Sequence, residues 1–284
     1  MDLSAAITIE RPGQSALDIN SVRDATAVGF APLSGYSVES VDFSSVQITA
    51  FTEDSPQVDG SDSYDPYLTA RTINMSVAIY GSTYGDFWDK LDALNYALQA
   101  QPRYSSGTAL PTDGRRKLSF SQPTAAGTRS LYMLVRPVTL PRFVTDKAWA
   151  SGDTNRGWAT TVNVSLVAED PYKYFASERT FTRSGSGTMT IVNDGTTIAW
   201  PVITWANPTS AVAQVSYTDP GTGANYTVNH TATVGPVTDT FKTSQSTSFS
   251  TMTTYSFFSL PPGSSTLSMA GSGTITVTIN EAIL

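Results

Sequence analysis

The chain has 284 residues, 40% of them hydrophobic and only 14% charged, with a net charge of −7 and no cysteine. A net-negative chain lacks the basic stripe that displaces counterions from phosphates, so duplex binding is disfavoured. The missing cysteine excludes disulfides, thiolate catalysis and cysteine-ligated zinc.

The length allows one large domain or two smaller ones. Ser, Thr, Asn and Gly carry the polar share, which suits strands, turns and a neutral surface better than long solvated helices. The first twenty residues show no basic start followed by an apolar core, and no apolar run approaches a membrane span. The expectation is a soluble chain, not exported through its own N-terminus and not inserted in a membrane.

In chain order, Val41 and Phe43, then Val46, Ile48 and Ala50, predict a strand with an irregularity in its middle. Glu53 to Pro66, EDSPQVDGSDSYDP, has the composition of an exposed loop, and 102–114, PRYSSGTALPTDG, looks similar. Long loops in a sheet protein are often working parts, because core packing does not demand them. Between them, Ile73, Met75, Val77 and Ile79 alternate at strict period two.

GDFWDKLDALNYALQAQP, residues 85–102, breaks the pattern: Phe87, Leu91, Leu94 and Leu98 form one helical face. This predicts a helix over about 86–100, capped by Asp86 and ended by Pro102, packed on a sheet. Trp88 falls outside the stripe. Arg115-Arg116-Lys117, beside Asp113-Gly114, is the densest basic run and reads as a solvated hairpin tip.

Alternation resumes at Leu118 and Phe120, at Leu131, Met133 and Val135, and over Val162 to Ala168. Then Glu169, Asp170 and Pro171 stop the last strand. Residues 1–170 hold 32 of the 41 charges, whereas 39 of the 114 residues in 171–284 are Ser or Thr. That shift predicts two domains, 1–170 and 171–284. Further strands are expected around Met189 and Ile191, Val215 and Tyr217, Tyr226 and Val228, and Ile275 to Ile279, with Asn193-Asp194-Gly195 as a hairpin signal. The fold class is therefore mainly β (α+β), with one helix in the N-terminal domain.

No constellation for catalysis emerges. The single histidine, His230, sits in NYTVNHTATV with neither a nucleophile nor an orienting acid marked nearby, and reads as a side chain on or at the edge of a strand. Asp59, Asp62 and Asp65 beside Gly60 lack the alternate acids and distal glutamate of a calcium loop and read as a solvated acidic loop. Glu53-Asp54 and Glu169-Asp170 are adjacent pairs, and neighbours on a strand point to opposite faces. Gly185-Ser-Gly187, Gly221-Thr-Gly223 and Gly271-Ser-Gly273 lack the lysine and following helix of a phosphate loop and read as turns. Trp149, Trp158, Trp200, Trp205 and Tyr172 read mostly as core or subunit interface, with sugar stacking the other use of an exposed ring. No catalytic residue, cofactor or metal is expected.

Three stretches carry a family resemblance: AEDPYKYF (168–175), TIVNDGTTIAWPVITWAN (190–207) and FFSLPPGSSTLSMAGSGTITVTINEAIL (257–284). With the domain layout, they resemble the interdomain signature, the opening of the second domain, and the closing turn and strand of the distal tail proteins of long-tailed bacteriophages. Ser264 or Ser265 stands where that family often has asparagine.

The resemblance implies a structural virion protein at the tail tip, assembled in the bacterial host cytoplasm. It implies a hexameric ring joining the tail tube protein to hub, fibre or receptor-binding proteins of the host-attachment device. The N-terminal domain would build the ring with a belt loop, for which 53–66 is the candidate. The C-terminal domain would be a galectin-like β-sandwich that attaches partners or binds host-surface carbohydrate. Net negative charge suits a channel that DNA crosses without specific binding. The competing readings are a carbohydrate-binding adhesin module and another tail component such as the tube protein.

Overall fold

The computed structural model describes residues 3–11, 14–22, 33–49, 52–54, 61–63, 67–99, 104–105, 108–109, 115–125, 127–139, 157–206, 212–231, 238–242, 252–255 and 258–284. Its contacts divide the chain into two compact units, Met1–Pro171 and Tyr172–Leu284. The fold is mainly β, built from antiparallel sheets, with one helix among the described residues.

In the first unit, in chain order, come β1 (Thr8–Arg11), β2 (Gln14–Asp18), β3 (Gly35–Phe43), β4 (Ile48–Thr49), β5 (Thr52–Asp54), β6 (Ser61–Ser63), β7 (Tyr67–Leu68) and β8 (Arg71–Gly81). The helix α1 (Tyr84–Leu98) follows, then β9 (Tyr104–Ser105), β10 (Thr108–Ala109), β11 (Arg116–Thr124), β12 (Gly127–Thr139) and β13 (Trp158–Ala168). The main sheet runs β2-β1-β11-β12-β13-β8-β3. Its period-two residues Ile73, Met75, Val77, Ile79, Leu118, Phe120, Leu131, Met133, Val135, Val164 and Leu166 are all buried. Each such aliphatic side chain contributes about 2 kcal/mol relative to exposure.

The irregularity expected between Phe43 and Val46 is instead the end of β3, and a bulge lies earlier in the strand. The β3–β8 register shifts between Val38 and Ser40. Buried Tyr36 and Val38 thus continue on the same face as Val41 and Phe43, one residue out of strict alternation. Val46 and Ile48 do not extend β3, because the ladder breaks before β4.

Helix α1 buries Phe87, Leu91, Leu94, Ala97 and Leu98, the expected face. Its ends differ from the expected 86–100. The N-cap is Thr83, whose hydroxyl accepts from the Asp86 amide at 3.1 Å, so Asp86 is not the cap. The Asp86 carboxylate reaches back instead to the Ser82 amide (2.8 Å) and hydroxyl (3.1 Å). Burial alone would raise the Asp86 pKa, but hydrogen bonds from Ser34 and Ser82 and the nearby Lys90 lower it overall. The helix stops at Leu98, before Pro102, because Gln99 is already extended and another side chain takes its last carbonyls.

That side chain is Arg116, which corrects the expectation of a solvated hairpin tip. It is 3% exposed, and its Nε and Nη2 donate to the carbonyls of Ala97 (3.2 Å) and Gln99 (3.1 Å). Asp113 and Gly114 lie outside the described residues. The buried Tyr36 hydroxyl donates to the Lys90 carbonyl at 2.7 Å, a second tie between helix and sheet, and burial holds its pKa well above the ordinary tyrosine range. Buried Asn20 clips the N-terminal segment to the sheet, donating to Leu3 and Ala5 carbonyls and accepting from the Val38 amide.

Gly81 lets α1 approach β8. A Cβ there would stand 2.4 Å from the Phe87 nitrogen and 2.5 Å from its Cα, both helix backbone. Gly81→Ala is therefore expected to push the first turn outward and destabilise the first unit by about 2 kcal/mol, within the range of overpacking changes. An unchanged urea midpoint would refute that close approach.

The second unit contains β14 (Lys173–Phe175), β15 (Arg179–Ser184), β16 (Gly187–Asn193), β17 (Val202–Ala206), β18 (Val212–Thr218) and β19 (Asn225–Thr231). These are followed by β20 (Thr238–Lys242), β21 (Met252–Tyr255), β22 (Gly263–Ala270), β23 (Thr274–Ile279) and β24 (Ala282–Ile283). One sheet runs β15-β23-β17-β20, a second β16-β22-β18-β19-β21, and β24 pairs with β14. Ile203, Trp205, Ile275, Val277 and Ile279 from the first sheet share a core with Ile191, Val215, Val228, Leu267 and Met269 from the second. The unit is a β-sandwich.

Asn193-Asp194-Gly195 is not a hairpin: β16 pairs with β22, and the next strand, β17, belongs to the other sheet. The Asn193 side chain explains why. It is buried, donates to the carbonyls of Thr197 (2.8 Å) and Leu260 (3.1 Å), and accepts from the Gly195 amide (3.0 Å). These bonds fix a crossing segment in place of a tight reversal. Buried Glu281 closes the same end, accepting from the Asp194 amide at 2.5 Å and from Arg179 Nη1 at 3.2 Å.

Candidate interaction surfaces

The sequence candidates for chemistry stay dispersed. His230 lies in β19 opposite Ala213 and Met252, and its side chain is outside the described residues. Asp59 and Asp65 are likewise outside, while Asp62 and Glu53 are backbone register partners in the β5–β6 ladder. Glu169 pairs with Arg136 Nε at 2.9 Å. Among the described residues, no three His, Cys, Asp or Glu side chains converge as metal ligands, and no helix is long and apolar enough to cross a membrane.

The glycine pairs are turns. Gly185 (φ +71°) and Gly273 (φ +92°) sit where β15 passes to β16 and β22 passes to β23, each time from one sheet to the other. The two corners are stitched together by Gly185 N to Gly273 O (2.8 Å) and by Ser186 Oγ donating to Gly271 O (2.7 Å). The third, Gly221-Thr-Gly223, closes the β18–β19 hairpin.

The expected loop 53–66 is partly a two-stranded arm. Ile48 and Thr49 pair with Leu68 and Tyr67, and Thr52 to Asp54 pair with Ser63 to Ser61. Residues 55–60 and 64–66 lie outside the described residues. The similar stretch 102–114 carries a minimal hairpin, with Thr108 and Ala109 opposite Ser105 and Tyr104.

The aromatic candidates separate by environment. Trp205 is 1% exposed, and its Nε1 donates to the Ser272 carbonyl at 2.7 Å; it belongs to the core. Trp158 is half-buried, with Tyr84 edge-on at 5.1 Å, and Tyr172 is half-buried. Trp149 lies outside the described residues. Trp200 is 46% exposed.

Trp200 stands on a built surface. Ala199 and Leu260 form an isolated antiparallel bridge, with reciprocal amide–carbonyl bonds of 2.9 and 2.8 Å, and both side chains point into the core. Their neighbours therefore point the other way. Ile198 (53% exposed) and Trp200 project from one side of the bridge, Ser259 and Pro261 from the other. Opposite them the end of the β18–β19 hairpin brings up Tyr217 and Tyr226, register partners with rings stacked at 6.3 Å, over Phe258.

These walls enclose a cleft of about 290 Å³ with Asp219 at its edge. Asp219 Oδ1 accepts from the Gly221 amide (2.9 Å) and Oδ2 from the Thr222 hydroxyl (2.8 Å), and these bonds lower its pKa. The Tyr217 hydroxyl is buried and has no hydrogen-bond partner. The alternation in TIVNDGTTIAWPVITWAN could have separated core Trp205 from outward Trp200, since only Trp205 shares the parity of Ile203. The cleft itself had no local signal, because its walls come from segments far apart in the chain.

No protein-family model and no curated protein sequence matches the chain. Solved structures do. The crystal structure of the Dit protein of phage SPP1, presented as a paradigm of the hub adsorption apparatus in Gram-positive-infecting phages, matches 99% of this chain and 100% of its own, with TM-score 0.61 and 14% identity. The phage P2 baseplate in its activated conformation, with calcium and with strontium, matches at TM-score 0.50 and 9% identity over 97% of both chains. Along its whole length, this chain has the fold of Dit, the phage distal tail protein.

Proposed function

We propose that this chain is a structural subunit of a phage tail tip, a distal tail protein that assembles into a hexameric ring between the tail tube and the host-adhesion device. The observation that carries the reading is end-to-end likeness in fold: 99% of this chain aligns with 100% of a Dit protein of the phage hub adsorption apparatus. The composition agrees. Abundant Ser and Thr and few charges suit surfaces buried on assembly, because burying a hydroxyl costs less than burying a charge.

On this reading residues 1–170 build the ring, residues 171–284 form an outward module, and the chain performs no catalysis. The belt that embraces the neighbouring subunit is the 53–66 stretch, whose described residues pair in the β5–β6 ladder. Its ladder pairs are short and sit outside the main sheet, as suits a segment stabilised by a partner.

The test is native mass and electron microscopy of the purified full-length protein. A closed six-fold ring of six 30.3 kDa chains, about 182 kDa, is expected. A chain that stays monomeric at high concentration overturns the reading. Replacing Thr52–Ser63 by an Asn-Gly turn is expected to leave the circular dichroism spectrum intact and abolish the ring. A ring that persists removes the belt assignment alone.

A further inference from the structure

We propose that Arg183 is an autoinhibitory plug on β16: it closes the open edge of that strand against β16 of a second copy of this chain. The proposal concerns the second unit alone and does not depend on ring assembly.

Among the described residues, the sandwich has four edge strands, β15 and β20 on one sheet, β16 and β21 on the other. An open edge presents amides and carbonyls to any further strand, and folded proteins blunt such edges with charge or brevity. β15 carries Arg179 and Arg183, β20 carries Asp239 and Lys242, and β21 is four residues long. β16 has neither defence. Its seven residues, GTMTIVN, include no charge and no proline, and four of them are β-branched. That is the composition of a strand that pairs with its own kind. A neutral strand also meets its copy without charge repulsion, which makes a second copy the occupant.

The plug comes from β15. Arg183 stands opposite Ile275, whose side chain is in the core, so both project from the inner face of their sheet. The guanidinium crosses to the other sheet, where Nη1 donates to the Thr188 carbonyl (2.9 Å) and Nη2 to the Ser186 carbonyl (3.2 Å). The ladder partner of β16 is β22, and Arg183 approaches from β15, so the Thr188 carbonyl it takes belongs to the open edge. Thr190 and Val192 continue that edge at the same parity. The seat requires glycine: a Cβ on Gly187 would collide with Nη2 and stand 2.8 Å from Cζ.

Arg183 Nε supplies the independent pointer. It is buried with no hydrogen-bond partner, so the group is held there against its own demand for solvation. An uncharged side chain of the same length fills that space without an orphaned donor. What the arginine adds is a bulky cation where an incoming strand has to lie.

The experiment is size-exclusion chromatography with light scattering on the full-length protein over a range of concentrations, with the wild-type mass as reference. Arg183→Ala is expected to form species larger than the wild-type species, with an onset at about tenfold lower concentration. Amide exchange at Thr190 and Val192 is expected to slow about tenfold in those species. Adding Thr190→Lys, at an exposed position of β16, is expected to restore the wild-type mass. Arg183→Met keeps an apolar stem of similar length and loses the guanidinium. It is expected to associate as Arg183→Ala does, and it carries the test if alanine loosens the corner.

An Arg183→Met protein that is folded by circular dichroism and keeps the wild-type mass at every concentration overturns the proposal. Association that leaves exchange in β16 unchanged, or that persists with Thr190→Lys, does the same. Loss of the fold in both variants also overturns it, because the guanidinium then holds the corner together and does not guard an edge. A wild-type protein that stays monomeric ends the ring reading and leaves this one standing.

Discussion

Trp205→Ala is expected to destabilise the second unit by about 4 kcal/mol, the largest effect of any substitution considered for this chain. The indole is 1% exposed in the core shared by the two sheets, and truncating a buried tryptophan there costs about 3–5 kcal/mol through lost transfer energy and the cavity left behind. It also removes the donor at 2.7 Å from the Ser272 carbonyl, in the corner where β22 passes to β23. Trp205→Phe separates the two contributions: it keeps most of the apolar volume and loses the hydrogen bond, for an expected cost of about 1–2 kcal/mol. Urea unfolding of the full-length chain reads both. A Trp205→Ala midpoint within error of wild type would show that the ring does not fill the core.

Arg116→Ala is expected to cost the first unit about 3 kcal/mol. Helix α1 has no basic residue in its last turn, so its terminal carbonyls depend on a guanidinium from β11, at 3.2 and 3.1 Å. Removing it leaves buried acceptors unsatisfied, takes a positive charge from the negative end of the helix dipole, and opens a void. Arg116→Lys retains the charge but not the two-pronged geometry, and is expected to recover about half of the loss. Thermal unfolding gives the energy. Amide exchange across α1 gives the location: exchange must accelerate at the C-terminal turn first. A uniform loss across the sheet would contradict the capping role.

These residues mark where the sequence was readable and where it was not. Local period did well. Ile73 to Ile79 and the Phe87–Leu98 stripe needed only their own spacing to be assigned to strand and helix, and both faces are buried. The helix start was legible but misassigned. Thr83-Tyr-Gly-Asp86 has the spacing of a capping box with aspartate in the place of glutamate, which puts the cap three residues before Asp86, although the carboxylate bonds the Ser82 amide and not that of the cap itself.

Arg116 was not legible. Its neighbours resemble a turn tip, and its partners lie 17 and 19 residues away across a tertiary contact that no spacing rule reports. Asn193 misled for a related reason. Asn-Asp-Gly favours reversal locally, but burial of the Asn193 amide against Leu260, 67 residues on, redirects the chain into the opposite sheet. The cleft is the extreme case: Trp200, Tyr217 and Ser259 come from three segments, and only the closed sandwich makes them neighbours.

The pairing of Lys173 with Ile283 and Tyr174 with Ala282 brings the entrance and exit of the second unit side by side. Their Cα atoms lie about 5 Å apart, as opposed residues in an antiparallel ladder must. A module whose two ends meet at one point behaves like a cassette: it can be exchanged, permuted or interrupted at its far corners without altering what joins it to the chain. Diversification of the second unit can thus proceed independently of the part upstream, with the short β14–β24 ladder as the fixed socket.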